Sequence, residues 1–305
     1  MKSRTGQEVK LFAVSPNGTR TEMTNETEQP AGIKKNLLRV PAKNRVKALG
    51  LVAKMTIKKL FNREYNERHE FMNLVYDIHH IELEFNGRTL QLPFGGDLWF
   101  MLYHQVFVKN QYDLNAENTV GKTFVDAGAN LGAFSIFAAC MGARKVYAFE
   151  PVKETFEALK TNIQACGFQD VIIPVNKGLG RDNFVATVKY DYSGDGGASI
   201  VTTGNTREHE HKNTQEIEVV TLDSFLKGDK VDLIKADVEG YEASVFVGAS
   251  KTIAAYAPVL DFSAYHKADD TTALPELINS IHSGYSCNVR EYYEKVLYCH
   301  VEGSK

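Results

Sequence analysis

Two stretches of the chain carry acids and glycines at spacings that could do chemistry. Phe124-Val125-Asp126-Ala127-Gly128-Ala129-Asn130-Leu131-Gly132 runs out of an apolar strand pattern, through a turn holding Gly128, Asn130 and Gly132, into a helix. Glycines at such a turn let backbone approach a ligand, and the first helical N–H groups point outward. Glu150 closes the next strand, 22 residues after Gly128, where a carboxylate can accept both hydroxyls of a ribose. The second stretch is Leu233-Ile234-Lys235-Ala236-Asp237-Val238-Glu239-Gly240-Tyr241-Glu242. An apolar strand ending in Asp237 and Glu239 delivers both acids to the open end of a sheet, where ligands bind in open α/β folds.

Charge selects the nucleoside. Pyrophosphate over a glycine turn would be repelled by a carboxylate beside it, and Asp126 stands just before the glycines. A carboxylate there suits S-adenosyl-L-methionine, which carries an ammonium and a sulfonium. Gly128-x-Asn130-x-Gly132 also departs from the G-x-G-x-x-G of dinucleotide folds. Two other readings stay open: an NAD-linked oxidoreductase, which shares the glycine turn and Glu150, and a non-catalytic binding module on the same fold. No metal centre is expected, because His209-Glu210-His211 lies in a polar stretch without further ligands and reads as surface histidines. Gly121-Lys122-Thr123 is no phosphate loop: Ala116 stands at its required first glycine.

The elements that must position these residues alternate. Thr123–Ala127, Lys145–Phe149, Val171–Val175, Val231–Ala236 and Val259–Ala264 read as strands. Gly132–Met141 and Lys153–Cys166 read as helices, and Tyr285–Arg290 with Val296–Val301 close the pattern. Such alternation predicts a mainly parallel sheet covered on both faces. Residues 191–215, rich in Gly, Asp and His, read as a loop. Upstream, Ile81–Phe85, Asn86-Gly87 and Thr89–Leu92 predict a hairpin. Asp97 caps a helix running to Val108. Residues 1–35 read as a flexible tail with one strand at Val9–Val14, 36–118 as a helical and hairpin region, and 119–305 as the catalytic domain.

Composition narrows the class. The 305 residues are 43% hydrophobic with a net charge of −3, which excludes global disorder and a globally basic nucleic-acid binder. No apolar run is long enough to span a membrane. Ten Lys/Arg and no acid fall between Lys34 and Arg63, on a helix pattern with Leu49, Val52, Ala53, Ile57 and Leu60 along one face. That helix either packs on the domain or makes peripheral contact with an anionic membrane. Cys140, Cys166, Cys287 and Cys299 form no C-x-x-C pair and read as reduced thiols of a cytoplasmic protein.

VDAGANLGAFS, AFEP at Ala148–Pro151 and VDLIKADVEGYE, in that order, resemble the FkbM-type family of S-adenosylmethionine-dependent methyltransferases. The likeness covers about Gln111 to Val301. Pro258-Val259-Leu260 followed by Ala264-Tyr265-His266-Lys267 is similar to a branch with Tyr-His-Lys after the fifth strand. Many relatives have a Glu near that strand end, where Ala264 and His266 stand here. The resemblance implies a class I methyltransferase, Rossmann-like sheet with an antiparallel last strand. It also implies methyl transfer to a hydroxyl of a glycan, glycolipid or polyketide-like small molecule, with no nucleic-acid partner. On this reading Asp126, Gly128, Asn130, Gly132, Glu150, Asp237 and Glu239 hold the donor. Asp237 or His266 serves as base, and Lys235 pairs with the acids or contacts the acceptor.

Overall fold

The computed structural model describes residues 9–14, 18–23, 80–92, 104–190, 198–200, 213–291 and 295–302. The chain divides into two compact units, residues 1–110 and 111–305.

In the first unit, β1 (Val9–Val14), β2 (Arg20–Met23), β3 (His80–Phe85) and β4 (Arg88–Leu92) form an antiparallel sheet in the order β2-β1-β3-β4. The hairpin β3–β4 turns at Asn86 and Gly87, both with positive φ, as an Asn-Gly hairpin requires. Leu83, Phe85, Leu90 and Leu92 point to its buried face, and Phe107 meets Phe85 edge to face at 5.6 Å. Two expectations change here. The first 35 residues contribute a second strand, β2, which pairs with β1. Of the helix expected up to Val108, the described part is a π-helical turn, His104–Val108. The basic 34–63 segment and the start of that helix lie outside the described residues.

The second unit is built on a seven-stranded sheet. Its strands are β5 (Thr123–Ala127), β6 (Lys145–Phe149), β7 (Ile172–Val175), β12 (Leu233–Ala236), β13 (Val259–Ser263), β14 (Tyr285–Glu291) and β15 (Lys295–Val301). They run in the order β14-β15-β13-β12-β5-β6-β7. β15 is antiparallel to both of its neighbours, whereas the pairs from β13 to β7 are parallel. All five residues of β5 and all four of β12 are buried, as expected of central strands covered on both faces. The helix α2 (Ala133–Cys140) is apolar nearly all round because seven of its residues are buried. The short helix α1 (Ala116–Thr119) precedes β5, and α3 (Lys153–Ala165) follows β6.

A second sheet was not expected. β8 (Gly178–Leu179), β9 (Phe184–Tyr190), β10 (Ala198–Ile200) and β11 (Asn213–Val220) pair in the order β10-β9-β11-β8. Ala186, Val188, Tyr190, Ile217 and Val219 form its own small core with Val152. Within the 191–215 stretch, residues 198–200 and 213–215 are therefore strand and not loop; His209 to His211 lie outside the described residues.

The reduced-thiol expectation is corrected as well. Cys287 and Cys299 form a disulfide between directly opposed residues of β14 and β15, leaving Cys140 and Cys166 as free thiols. This bond removes the cysteine argument for a cytoplasmic location. Among the described residues no helix is long and apolar enough to cross a membrane.

Closing a separation of 12 residues stabilises a fold by about 2–3 kcal/mol. Alkylation without reductant, read by mass spectrometry, should therefore modify two thiols, and reductant should lower the melting temperature by several degrees. Four thiols modified in the unreduced protein would contradict the disulfide.

Candidate active site

The parallel strands place their chemistry in two layers. The lower layer is an ion pair inside the sheet. Asp126 on β5 and Lys235 on β12 are register partners, and Lys235 Nζ lies 2.9 Å from Asp126 Oδ1. The other carboxylate oxygen, Oδ2, accepts a 2.6 Å bond from Ser135 Oγ on α2. Lys235 Nζ also donates to the carbonyls of Gly128 at 2.7 Å and Ala127 at 3.4 Å. Burial alone would favour losing the lysine's proton, but the Asp126 carboxylate more than offsets it and holds the ammonium above its usual range.

This geometry corrects one expectation and decides another. Asp126 is fully buried with both oxygens engaged, so it offers no free carboxylate to a ligand's ammonium. Of the two roles expected of Lys235, it takes the pairing with an acid, here Asp126, and with two carbonyls it anchors the glycine turn.

The turn itself packs against the next strand. A Cβ on Gly128, whose φ is +76°, would lie 2.0 Å from the Asp237 carbonyl oxygen, so only glycine fits. Gly132, at φ +94°, is the N-cap of α2, and a Cβ there would meet Leu159 at 2.6 Å. The turn's N–H groups are largely used within the fold. Gly128 and Ala129 donate to the Phe149 carbonyl, Gly132 to the Ala129 carbonyl, and Asn130, at φ 50°, to Glu150 Oε2 at 3.0 Å. Glu150 Oε1 accepts the Val152 N–H at 2.9 Å. Burial pushes the Glu150 carboxyl up to about 7, although both N–H donors act to lower it.

The upper layer follows β12 and β13. Asp237 N donates to the Ala127 carbonyl, which fixes the strand end beside the turn. Asp237 Oδ1 is buried and has no hydrogen-bond partner among the described residues. Burial raises its carboxyl; Lys235 opposes the rise, Glu239 adds to it, and a Ser263 hydrogen bond lowers it. Beyond Asp237 the chain turns sharply through Glu239 (φ 55°) and Gly240 (φ 90°) into α4 (Glu242–Gly248). His266, three residues past β13, lies between two carboxylates. Its Nε2 is 3.4 Å from Glu239 Oε2, and its Nδ1 is 3.2 Å from Glu242 Oε1. Burial would lower the imidazole, but hydrogen bonds to Glu239 and Glu242 outweigh it and carry the ring up to about 10. Glu242 Oε1 also accepts the N–H groups of Val238 and Gly240.

The sheet thus brings together the expected Gly128, Asn130, Gly132, Glu150, Asp237, Glu239 and His266 at the carboxyl ends of neighbouring strands. Sequence reasoning passed over Ser135, Ser263 and the role of Glu242. It also passed over Asp261, a fully buried acid opposite Lys235 whose Oδ2 lies 3.7 Å from Arg290. The spacing of Asp237, Glu239 and Glu242 was a usable signal for Glu242, since a turn between strand and helix folds such residues onto one another. Asp261, inside an apolar strand, carried none.

Residues 126–287 match the family model described as the methyltransferase FkbM domain. Among solved structures the chain is similar to methyltransferase FkbM from Methylobacillus flagellatus KT, at 20% identity and a TM-score of 0.46, covering 68% of this chain and 54% of that one. The chain thus spans about half the length of that relative. It is also similar to an rRNA methylase from Streptococcus thermophilus, at 12% identity and a TM-score of 0.41, over 64% of this chain and 95% of that one. The M. jannaschii tRNA m1G37 methyltransferase gives 16% identity and a TM-score of 0.38, over 73% of this chain and 57% of that one. A search among curated proteins finds no match.

Two outcomes follow from the buried charges. Lys235→Met strands Asp126 and should destabilise the protein by about 3–5 kcal/mol, whereas adding Asp126→Leu should recover most of that loss in a denaturant titration. Glu150 has a folded value raised above the ordinary 4.5 to about 7, so the folded state keeps a proton that the unfolded state has released between those values. Its contribution is therefore lost as pH rises from 4.5 to 7, by about 2–3 kcal/mol. Relative to Glu150→Gln, the wild type should lose melting temperature across that window; parallel curves would contradict the buried carboxyl.

Proposed function

Because the chain belongs to the FkbM methyltransferase family, we propose that it transfers a methyl group from S-adenosyl-L-methionine to a hydroxyl of a glycan, glycolipid or small molecule. The observation that carries the donor assignment is Glu150. Each of its oxygens is pinned by one backbone N–H, from Asn130 or Val152, at the open end of β6. Each oxygen keeps a lone pair that no hydrogen bond among the described residues uses, open to the two hydroxyls of a ribose.

The turn supports this donor over a dinucleotide, for a reason other than the charge of Asp126. Pyrophosphate binding needs free N–H groups at the glycine turn. Here the N–H groups of Gly128, Ala129, Asn130 and Gly132 already have acceptors within the protein. A donor whose charged part is cationic makes no demand on them. The carboxylates of Asp237 and Glu239 stand at the same strand ends to face that positive charge.

S-adenosyl-L-methionine supplies an electrophilic methyl group on a sulfonium. The protein's part is to align the acceptor oxygen with it and to handle the hydroxyl proton. Asp237 is the group we place against that hydroxyl. Its Oδ1 is buried without a hydrogen-bond partner among the described residues, and burial raises its basicity against the opposing pull of Lys235. His266 is poorly placed for the task, since each ring nitrogen faces a carboxylate.

Calorimetry should give micromolar binding of S-adenosyl-L-methionine and none of NAD. Glu150→Ala should weaken the donor by about 1.5–3 kcal/mol through lost charge-assisted bonds. With labelled donor and a panel of glycans and glycolipids, Asp237→Asn should lower turnover about 10²–10⁴-fold and change donor affinity much less. Absence of donor binding would remove the assignment. Full turnover in Asp237→Asn with a large loss in His266→Asn would move the proton to His266.

A further inference from the structure

The carboxylates at the end of β12 outnumber the bases that meet them. Asp237, Glu239 and Glu242 converge on His266, while Lys235 beneath them is taken by Asp126. Among the described residues no Lys or Arg forms an ion pair with any of the three. Asp237, Glu242 and His266 each offer a ligand atom, and these atoms all lie within 4.8 Å of one another. A divalent ion with bonds of about 2.1 Å spaces adjacent ligands about 3.0–3.4 Å apart. His266 Nδ1 and Glu242 Oε1 are already 3.2 Å apart.

Two further observations point to a ligand. Asp237 Oδ1 is a buried oxygen with no hydrogen-bond partner among the described residues. His266 is oriented as metal-binding imidazoles are: its side chain is 3% exposed, and the ring nitrogen away from Glu242 faces a second carboxylate, Glu239, at 3.4 Å. Glu242 is held in place by the N–H groups of Val238 and Gly240. We propose that Asp237, Glu242 and His266 form a divalent-cation site, with Glu239 as the carboxylate that orients His266.

Two carboxylates and one imidazole suit a cation such as Mn2+ or Mg2+, which keeps several positions for water or ligand oxygens. A cation on the Nδ1 side would sit between His266 and Glu242, while Nε2 keeps its N–H toward Glu239. The role of the site rests on the methyl-transfer reading. A cation beside Asp237 would hold the acceptor hydroxyl as an oxygen ligand, so Asp237 would act on the hydroxyl proton through it. The binding itself does not depend on that reading.

The test uses the full chain, freed of metal by chelator, and Mn2+ alone, with free Mn2+ followed by its paramagnetic resonance signal. One Mn2+ per chain should bind, and both His266→Gln and Asp237→Asn should weaken it at least tenfold. Thermal melts of each variant report whether it is folded. Glu150→Gln should bind Mn2+ as the wild type does, which separates this site from the nucleoside site. Equal binding by wild type and both folded variants, or none at millimolar Mn2+, overturns the site. Stoichiometric release of Mn2+ by S-adenosyl-L-methionine also overturns it, because cation and donor would then compete for the same carboxylates and the cation could not act beside the bound donor. Mn2+ bound without any donor binding would leave the cation site standing and remove the donor assignment.

Discussion

An ammonium and a carboxylate facing each other inside a fully buried sheet set the frame for everything above them. Lys235 and Asp126 sit on adjacent central strands, in register, with 2.9 Å between Nζ and Oδ1. Neither charge could be desolvated alone, so the pair locks the register of β5 against β12. A slip by one residue would turn one of the two to the opposite face and strand the other. The same ammonium reaches the Gly128 carbonyl, so the position of the glycine turn is tied to the pair. Asp237, two residues beyond Lys235, is thereby carried to the turn's side, with its backbone carbonyl where a Cβ of residue 128 would be.

Above that frame the polar groups divide by whether the fold has used them. Backbone N–H groups at the turn are mostly satisfied internally, and they hold Glu150 and the strand ends in place. Side-chain carboxylates at the ends of β12 and α4 are in surplus, with His266 shared between two of them. A crevice that has spent its N–H donors and kept its carboxylates favours positive ligands over phosphates. That contrast supports the proposed sulfonium donor, and it also supports the proposed cation site.

The parts of this arrangement written in local pattern were readable in the sequence. Asn86-Gly87 between alternating runs gave the hairpin, and the apolar runs at Thr123–Ala127 and Lys145–Phe149 match β5 and β6 to the residue. Glu150 was readable because a strand end and a spacing define it. The pairing of Asp126 with Lys235 was not, since it depends on the register of strands more than a hundred residues apart in the chain. Asp126 was read from its neighbour the glycine turn, when its partner lay across the sheet. The second sheet escaped because the Gly- and Asp-rich stretch after Tyr190 masked the alternation of Ala186, Val188 and Tyr190. The disulfide was within reach: closing Tyr285–Arg290 onto Val296–Val301 as a hairpin opposes Cys287 to Cys299. Cysteine spacing alone does not show that; strand register does.

The central claim is that one crevice, at the ends of β5, β6, β12 and β13, holds the methyl donor with Glu150 on its ribose and Asp237 beside its sulfur. A crystal structure with S-adenosylhomocysteine, the demethylated product of that donor, tests it most directly. The account predicts both ribose hydroxyls within hydrogen-bond distance of Glu150 and the thioether sulfur facing Asp237, with the Lys235–Asp126 pair unbroken beneath. Density for the nucleoside elsewhere, or a ribose that does not touch Glu150, would contradict it.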